Sequence, residues 1–236
     1  MKLSKRLELL AYLVEKHKKG NILADIGTDH AYLPIYLIKN GIVKKAIAGD
    51  YNQGPYEAAQ KAVLNYNLAG KIEVRLGNGL TVLAEGEADI VAIAGMGGTT
   101  IVEILSAKLN LAQQVQRLIL QPMNNAQGVR LWLSQNSFKI VAEDLVLDEG
   151  KLYEIIVAEK GIEAIDEEIL YEIGPKLWEK KHSLLEQHLN KLLNKAKSIY
   201  KSLNHSEKAD VKEKIKLYQT KIKALEEKLQ CLSNAK

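Results

Sequence analysis

Five clusters in the chain combine carboxylates, amides and glycines in ways that suit ligand chemistry. The first is Asp25-Ile26-Gly27-Thr28-Asp29-His30-Ala31. A dinucleotide site would carry three glycines at such a turn to close backbone N–H groups on a pyrophosphate. Here one glycine stands between two carboxylates, which repel a pyrophosphate and attract a ligand bearing an ammonium and a sulfonium. S-adenosylmethionine is such a ligand, and Asp25, Gly27, Thr28 and His30 are its candidate contacts; a plain strand-turn-helix with capping aspartates is the competing reading. The second cluster, Gly49-Asp50-Tyr51-Asn52, puts Asp50 23 residues beyond Gly27. A carboxylate there accepts hydrogen bonds from both ribose hydroxyls, of a nicotinamide or an S-adenosylmethionine alike. In the third, Leu76-Gly77-Asn78-Gly79-Leu80, Asn78 can pair with an adenine edge while Gly77 and Gly79 admit the backbone, although an Asn-Gly turn needs no ligand. The fourth, Ala94-Gly95-Met96-Gly97-Gly98-Thr99-Thr100, has three glycines in four residues and lets flat groups and backbone crowd together. A phosphate-binding turn is the alternative, without the lysine and hydroxyl of a P-loop. In the fifth, Gln121-Pro122-Met123-Asn124-Asn125, Gln121 and Asn124 can read the Watson–Crick edge of a flipped base. A proline turn capped by Asn125 fits the same residues.

The elements that must hold these clusters alternate. Asn21 to Ile26, Lys45 to Asp50, Lys71 to Leu76, Ala88 to Ala94 and Leu118 to Gln121 read as short buried strands, and each ends at one of the five clusters. Between them lie helices with Pro34 in the first turn of one, Pro55 to Leu68 as another, one from about Thr99, and Ala126 to Gln135. This cadence predicts βαβ units and a parallel sheet covered on both faces. Phe138 to Leu147 and Lys151 to Glu159, joined by Asp148-Glu149-Gly150, predict a hairpin that adds an antiparallel edge.

Charge and glycine content change together further along. Fifteen of 16 glycines precede residue 166, which places a domain boundary near 160–175: residues 1–165 form one domain and 166–236 another. The net charge of +4 is unevenly spread. Residues 1–20 hold six basic and two acidic side chains, residues 21–165 hold 12 against 16, and residues 166–236 hold 15 against 11. In the last part Leu185, Leu189, Leu192, Ala196, Ile199 and Leu203, then Val211, Ile215, Tyr218, Ile222, Leu225, Leu229 and Leu232, repeat at alternating spacings of four and three. These are the apolar seams of two coiled-coil helices, made antiparallel by a short loop in which Ser206 is the N-cap and Glu207 and Asp210 face the second helix's positive end. A first helix from Trp178 to Leu203 would be ~39 Å long. The lysines of this hairpin, Lys191 and Lys195 among them, fit either RNA phosphates or a solvated outer face. No apolar run is long enough for a bilayer, the N-terminus lacks a signal-peptide pattern, and Cys231 is the only cysteine. Together these predict a cytoplasmic protein without disulfides.

The first, third, fourth and fifth clusters, with the Leu3-Ser4-Lys5-Arg6-Leu7 start and the lysine-rich tail, resemble the bacterial tRNA (adenine-22-N1)-methyltransferases over nearly the whole chain. The resemblance implies a Rossmann-like α/β class I methyltransferase fold with seven strands, mostly parallel, followed by an antiparallel coiled-coil hairpin. It implies S-adenosylmethionine as donor, no metal, N1 of a tRNA adenine as acceptor, and a tail that assists tRNA binding. Met123 departs from the polar or small residue anticipated there. In such a transfer Asp29 is the candidate to stabilise the charge developing on adenine or to take a proton from its amine; His30 can act as a base or simply pack. The donor turns then contribute Asp25, Gly27, Thr28, His30, Asp50, Tyr51, Asn52, Gly77, Asn78, Gly79, Gly95, Met96 and Gly97. Lys5, Arg6, Lys191 and Lys195 are assigned to tRNA phosphates, and the protein to a monomer or weak homodimer. A nicotinamide oxidoreductase would share Asp50 and the sheet but lacks the glycines. A coiled-coil adaptor would explain the seams but not five polar turns on one sheet edge.

Overall fold

The structure, a computed structural model, describes residues 1–204 and 211–234. The chain forms two compact units, Met1–Ala164 and Ile165–Lys236.

The first unit opens with α1 (Lys5–Lys16), whose start is fixed by Ser4: its hydroxyl accepts a hydrogen bond from the Leu7 N–H. The alternation that follows is β1 (Ile22–Ile26), α2 (Tyr32–Lys39), β2 (Lys45–Asp50), α3 (Gln53–Asn65), β3 (Ile72–Leu76), β4 (Ile90–Met96), α4 (Gly98–Ala107), α5 (Leu109–Ala112), β5 (Arg117–Pro122), α6 (Ala126–Gln135), β6 (Phe138–Asp148) and β7 (Lys151–Lys160). A 3-10 turn at Gly79–Val82 and the short α5 carry no periodicity that a sequence reading could have caught. The seven strands form one sheet in the order β3-β2-β1-β4-β5-β7-β6. β3, β2, β1, β4 and β5 run parallel, while β7 pairs antiparallel with both β5 and β6. The predicted hairpin therefore lies at the sheet edge with its second strand inward. The central strands are apolar throughout because helices cover both faces: Leu23, Ala24, Ile90, Val91, Ala92, Ile93, Leu118, Ile119 and Leu120 are all fully buried.

One fully buried cation pins the hairpin to the last crossover helix. Arg130 of α6 donates from Nε to Glu143 Oε1 of β6 at 2.6 Å and from Nη2 to Glu154 Oε2 of β7 at 2.7 Å. Burial alone would lower its pKa, but the two carboxylates more than offset this and hold it charged.

Strand order matters for function. From β1 the chain first builds outward through β2 and β3, then returns to the other side of β1 with β4. The connections leaving β1 and β4 therefore diverge, which opens a crevice at their C-terminal ends.

The second unit contains α7 (Ile169–Ile173), α8 (Pro175–Glu179), α9 (Leu185–Asn204) and α10 (Val211–Asn234). The single helix predicted from Trp178 to Leu203 is instead broken. Lys181 adopts a left-handed conformation (φ 47°), and His182 Nδ1 accepts a hydrogen bond from the Leu184 N–H, so the chain turns before α9 begins. With 20 residues, α9 is about 30 Å long rather than ~39 Å. α9 and α10 are antiparallel, since Gln219 meets Tyr200 while Lys197 pairs with Glu226 further along. The seam on α9 is wider than the predicted stripe. His188 and Leu193 are buried with Leu185, Leu189 and Ala196, because α9 also packs against α7; His188 Nε2 lies 3.0 Å from the Ile173 carbonyl. On α10, Lys221 pairs with Glu172, and Lys228 pairs with Glu167 while sitting 4.5 Å above the Trp178 ring. The predicted loop features Ser206, Glu207 and Asp210 lie outside the described residues.

Candidate active site

Two cavities meet at the C-terminal ends of β1 and β4. The larger is an open cleft of about 570 Å3, lined on the β1 side by Gly27 and Asp29, at β2 by Gly49, Asp50, Tyr51 and Asn52, at β3 by Gly77, Asn78 and Gly79, and at β4 by Ala94, Gly95 and Met96. The smaller, about 320 Å3, is lined by Arg6, Asp25, Thr28, His30 and Tyr32. Gly27, Asp29, Ala94 and Gly95 line both.

Backbone constraints explain why these positions carry the residues they do. Gly27 has φ 74°, a left-handed conformation that favours glycine, and a Cβ there would displace the Met96 methyl, so the first turn and the fourth approach closely at this point. Gly95 also has positive φ, and its N–H donates to Gln121 Oε1 at 3.1 Å. At Gly98 a Cβ would press into the Asn124 and Asn125 carbonyls; its N–H donates to the Asn124 carbonyl at 3.1 Å. Asp29, at φ 54°, holds a left-handed conformation that Asp tolerates better than most residues.

The carboxylates differ in state. Asp25 is buried and accepts from the Thr28 hydroxyl at 2.7 Å. Burial pushes its pKa up to about 6, assisted by the nearby Asp50 charge and opposed by the Thr28 hydrogen bond and by Arg6. Asp50, also buried, is oriented by two backbone N–H donors: Asn52 to Oδ1 at 3.0 Å and Asp29 to Oδ2 at 3.2 Å. One lone pair remains on each oxygen, enough for a vicinal diol. Asp29 itself is exposed and pairs with His30 Nδ1 at 3.0 Å. The His30 ring stacks on Tyr32, with centroids 5.2 Å apart.

The predicted site residues fall in different places. Gln121 does not present its amide to a substrate. It is fully buried; its carbonyl accepts from Arg6 Nη1 at 2.8 Å and from the Gly95 N–H, and its Nε2 donates to the Pro122 carbonyl at 3.0 Å. With its donors and acceptors engaged inside the protein, it is a strut between β5 and β4. Arg6 is likewise not a free surface cation. Besides Gln121 it engages Asp148, whose Oδ2 accepts the Arg6 backbone N–H at 3.0 Å, and its guanidinium lies 5.7 Å from the Tyr153 ring centre. It forms a wall of the smaller cavity. Asp25, Thr28 and His30 line that cavity rather than the larger cleft. Asn124 is exposed and its Oδ1 lies 3.3 Å from the Gly98 N–H. Asn125 caps α6 by accepting from the Gly128 N–H at 3.2 Å, so the capped proline turn exists beside Asn124. Gly97 is the N-cap of α4. Lys5, Lys191 and Lys195 are exposed. Sequence reasoning did not assign Glu103 and Ala107 of α4, which with Thr100 line the larger cleft. Their i, i+3, i+7 spacing on α4 was the available signal.

The donor set fits a cationic nucleoside ligand. Asp29, Asp50 and Glu103 face the larger cleft with Lys108 as the only lysine or arginine among its described lining, which disfavours a pyrophosphate. Among the described residues no cluster of His, Cys, Asp and Glu is arranged to hold a metal, and no helix is long and apolar enough to cross a membrane.

The family model for tRNA (adenine(22)-N(1))-methyltransferase matches residues 23–227. The chain belongs to that family. It is 36% identical to the tRNA (adenine(22)-N(1))-methyltransferase of Bacillus subtilis, over 98% of this chain and 96% of the relative. The crystal structure of the B. subtilis m1A22 tRNA methyltransferase TrmK superposes with a TM-score of 0.88 at 36% identity, covering 97% of this chain and 99% of that one. M. capricolum TrmK in complex with S-adenosyl-homocysteine superposes with a TM-score of 0.81 at 31% identity, covering 98% and 99%. A Streptococcus pneumoniae protein crystallised with S-adenosyl-L-methionine gives a TM-score of 0.84 at 39% identity, covering 97% and 100%. Family membership and the observed sheet together bear out the predicted Rossmann-like methyltransferase fold with seven strands and C-terminal helices. They leave the role of each side chain to be argued from geometry.

Proposed function

We propose that the protein transfers a methyl group from S-adenosylmethionine to N1 of adenine 22 in bacterial tRNA, in the cytoplasm. The observation that carries this reading is the position of Asp29, the one carboxylate among the described lining residues that faces both cavities. When bound, the donor supplies a methyl group on a positively charged sulfur, and the adenine N1 lone pair forms the new bond while the sulfur keeps the old bond's electrons. The chain's residues orient and stabilise. Asp50, fixed by two backbone donors, takes the ribose diol, and Asn78, between two glycines, takes the adenine edge of the donor. Tyr51, Asn52 and Met96 complete that cleft, and Asp25 with Thr28 receives the donor's ammonium. Gly27 and Gly95 leave room at the junction. Positive charge moves from sulfur to adenine during transfer, and Asp29 lies where it can stabilise that charge or accept a proton from the exocyclic amine. Asn124, exposed in the turn after β5, lines neither cavity and is a candidate contact to the base from outside them. Gln121 supports Gly95 from behind.

In this reading residues 1–164 carry the donor site and the basic helical unit at 165–236 holds tRNA phosphates, with Lys191 and Lys195 one turn apart on α9. The test is methylation of unmodified bacterial tRNA with labelled S-adenosylmethionine, followed by reverse-transcription mapping of the modified nucleotide. A stop at position 22 is expected; absence of label, or a stop elsewhere, overturns the assignment. Asp29→Ala should lower kcat by about 100-fold or more while leaving S-adenosylhomocysteine affinity within a few-fold. A comparable loss of that affinity would make Asp29 a donor ligand instead.

A further inference from the structure

The smaller cavity has an aromatic wall that the donor chemistry does not use. Tyr32, the first residue of α2, is 43% exposed, and the His30 ring stacks on it with an interplanar angle of 20°. Both residues line the cavity that joins the larger cleft at Gly27, Asp29, Ala94 and Gly95. The pair is only partly covered by the described residues, with Tyr32 43% exposed and the His30 side chain 48% exposed, which leaves aromatic surface open beside a charged turn. It is also held in place. The His30 ring is tethered by Asp29 at 3.0 Å, and Tyr32 is anchored by a helix whose following residues, Leu33, Pro34 and Ile35, are buried. Such a pre-ordered π-face costs little entropy to use.

Resting on the methyltransferase reading above, we propose that the His30–Tyr32 pair is the stacking platform for the flipped acceptor adenine. The base extends the two-ring stack as a third layer and presents its N1 edge toward the Gly27–Gly95 junction. Two features of the cavity favour a base over other occupants. Its inner residues, Asp25 and Thr28, are buried and polar and suit the donor's ammonium, whereas the aromatic pair lies at the exposed side, where a nucleotide arriving from solvent must enter. Asp29 joins the two halves, touching the His30 ring and lining the donor cleft. A base removed from its own stack loses stacking that a protein aromatic can replace, and such contacts tolerate any base while edge contacts select adenine. Tyr32 is therefore a substrate-binding residue, and His30 supports it.

The experiment compares the full-length wild type with Tyr32→Ala and Tyr32→Phe. One readout is kcat/KM for tRNA at two salt concentrations. A second is S-adenosylhomocysteine affinity by calorimetry, and a third is the fluorescence of tRNA carrying 2-aminopurine in place of adenine 22. Tyr32→Ala should lower kcat/KM roughly 5- to 100-fold, by a factor that salt does not change, because ring stacking releases no counterions. Tyr32→Phe should stay near wild type, and donor-product affinity should be retained in both, which also shows that each variant folds. The bound 2-aminopurine should be quenched by the wild type and brighter in Tyr32→Ala. Equal fluorescence in the two proteins sinks the stacking proposal whatever the activity. Loss of S-adenosylhomocysteine affinity in a folded Tyr32→Ala would assign the wall to the donor. If the wild type quenches the base but transfers no methyl group, the platform stands and the methyltransferase reading fails.

Discussion

At Asp25, burial sets the state of a single side chain. Its pKa of about 6 lies above the ordinary value of 3.8, chiefly through burial. Above pH 6 the group is ionised in both folded and unfolded protein, and its full desolvation penalty is felt. Between pH 6 and 4 the folded state holds a proton that the unfolded state has released, so this group's contribution to stability improves as pH falls. Below 3.8 it is protonated in both states and the penalty is gone. Asp25→Asn should therefore stabilise the ligand-free protein at pH 8 by on the order of 2–3 kcal/mol, shrinking to nothing near pH 4, as urea midpoints at the two pH values would show. The same substitution should weaken S-adenosylhomocysteine and remove the fall in its affinity expected for wild type between pH 7 and 5. Unchanged affinity would mean that Asp25 does not meet the ligand's ammonium.

At the scale of elements, the site depends on which strands lie side by side, and the hairpin depends on Arg130. Removing that guanidinium leaves Glu143, wholly inside the protein, without its strongest partner. Arg130→Ala is expected to cost about 3–5 kcal/mol in chemical denaturation, whereas a cost below 1 kcal/mol would mean that water enters the gap. This network was invisible in the sequence, because one arginine and two glutamates among many charges give no sign that they will meet. The strands were legible, since apolar runs ending in glycine or amide clusters have few other uses, and all five clusters do lie at strand ends. Side-chain direction was not. Gln121 and Asn124 looked alike in a string of letters, yet strand parity turns one inward as a strut while the turn leaves the other exposed. The break before α9 is illegible for a related reason: the left-handed Lys181 is neither glycine nor asparagine, and the His182 side chain that accepts from the Leu184 N–H carries no capping signature in the sequence.

For the whole molecule, charge is divided between jobs. Acidic residues gather where a cationic ligand would bind, and the second unit carries a net positive charge, 15 basic against 11 acidic over residues 166–236. Part of that surplus serves the unit itself, since Lys197, Lys221 and Lys228 pair with Glu226, Glu172 and Glu167. Lys191 and Lys195 lie exposed one turn apart on α9. Replacing both with alanine should weaken tRNA binding and flatten its dependence on salt, lowering the magnitude of the log–log slope by about 1–2, with calorimetric S-adenosylhomocysteine affinity unchanged. An unaltered slope would return these lysines to the role of a solvated helix face.

The contact at Gly98 carries a consequence for how such enzymes can diverge. Because no side chain fits between position 98 and the Asn124 and Asn125 carbonyls, the turn after β4 and the turn after β5 are locked in register, with Gln121 bridging them a second time. Drift in one loop must be matched by drift in the other. Related sequences should accordingly vary at positions 95–98 and 121–125 as a single inherited block, and a change in base preference should require rewriting both halves together.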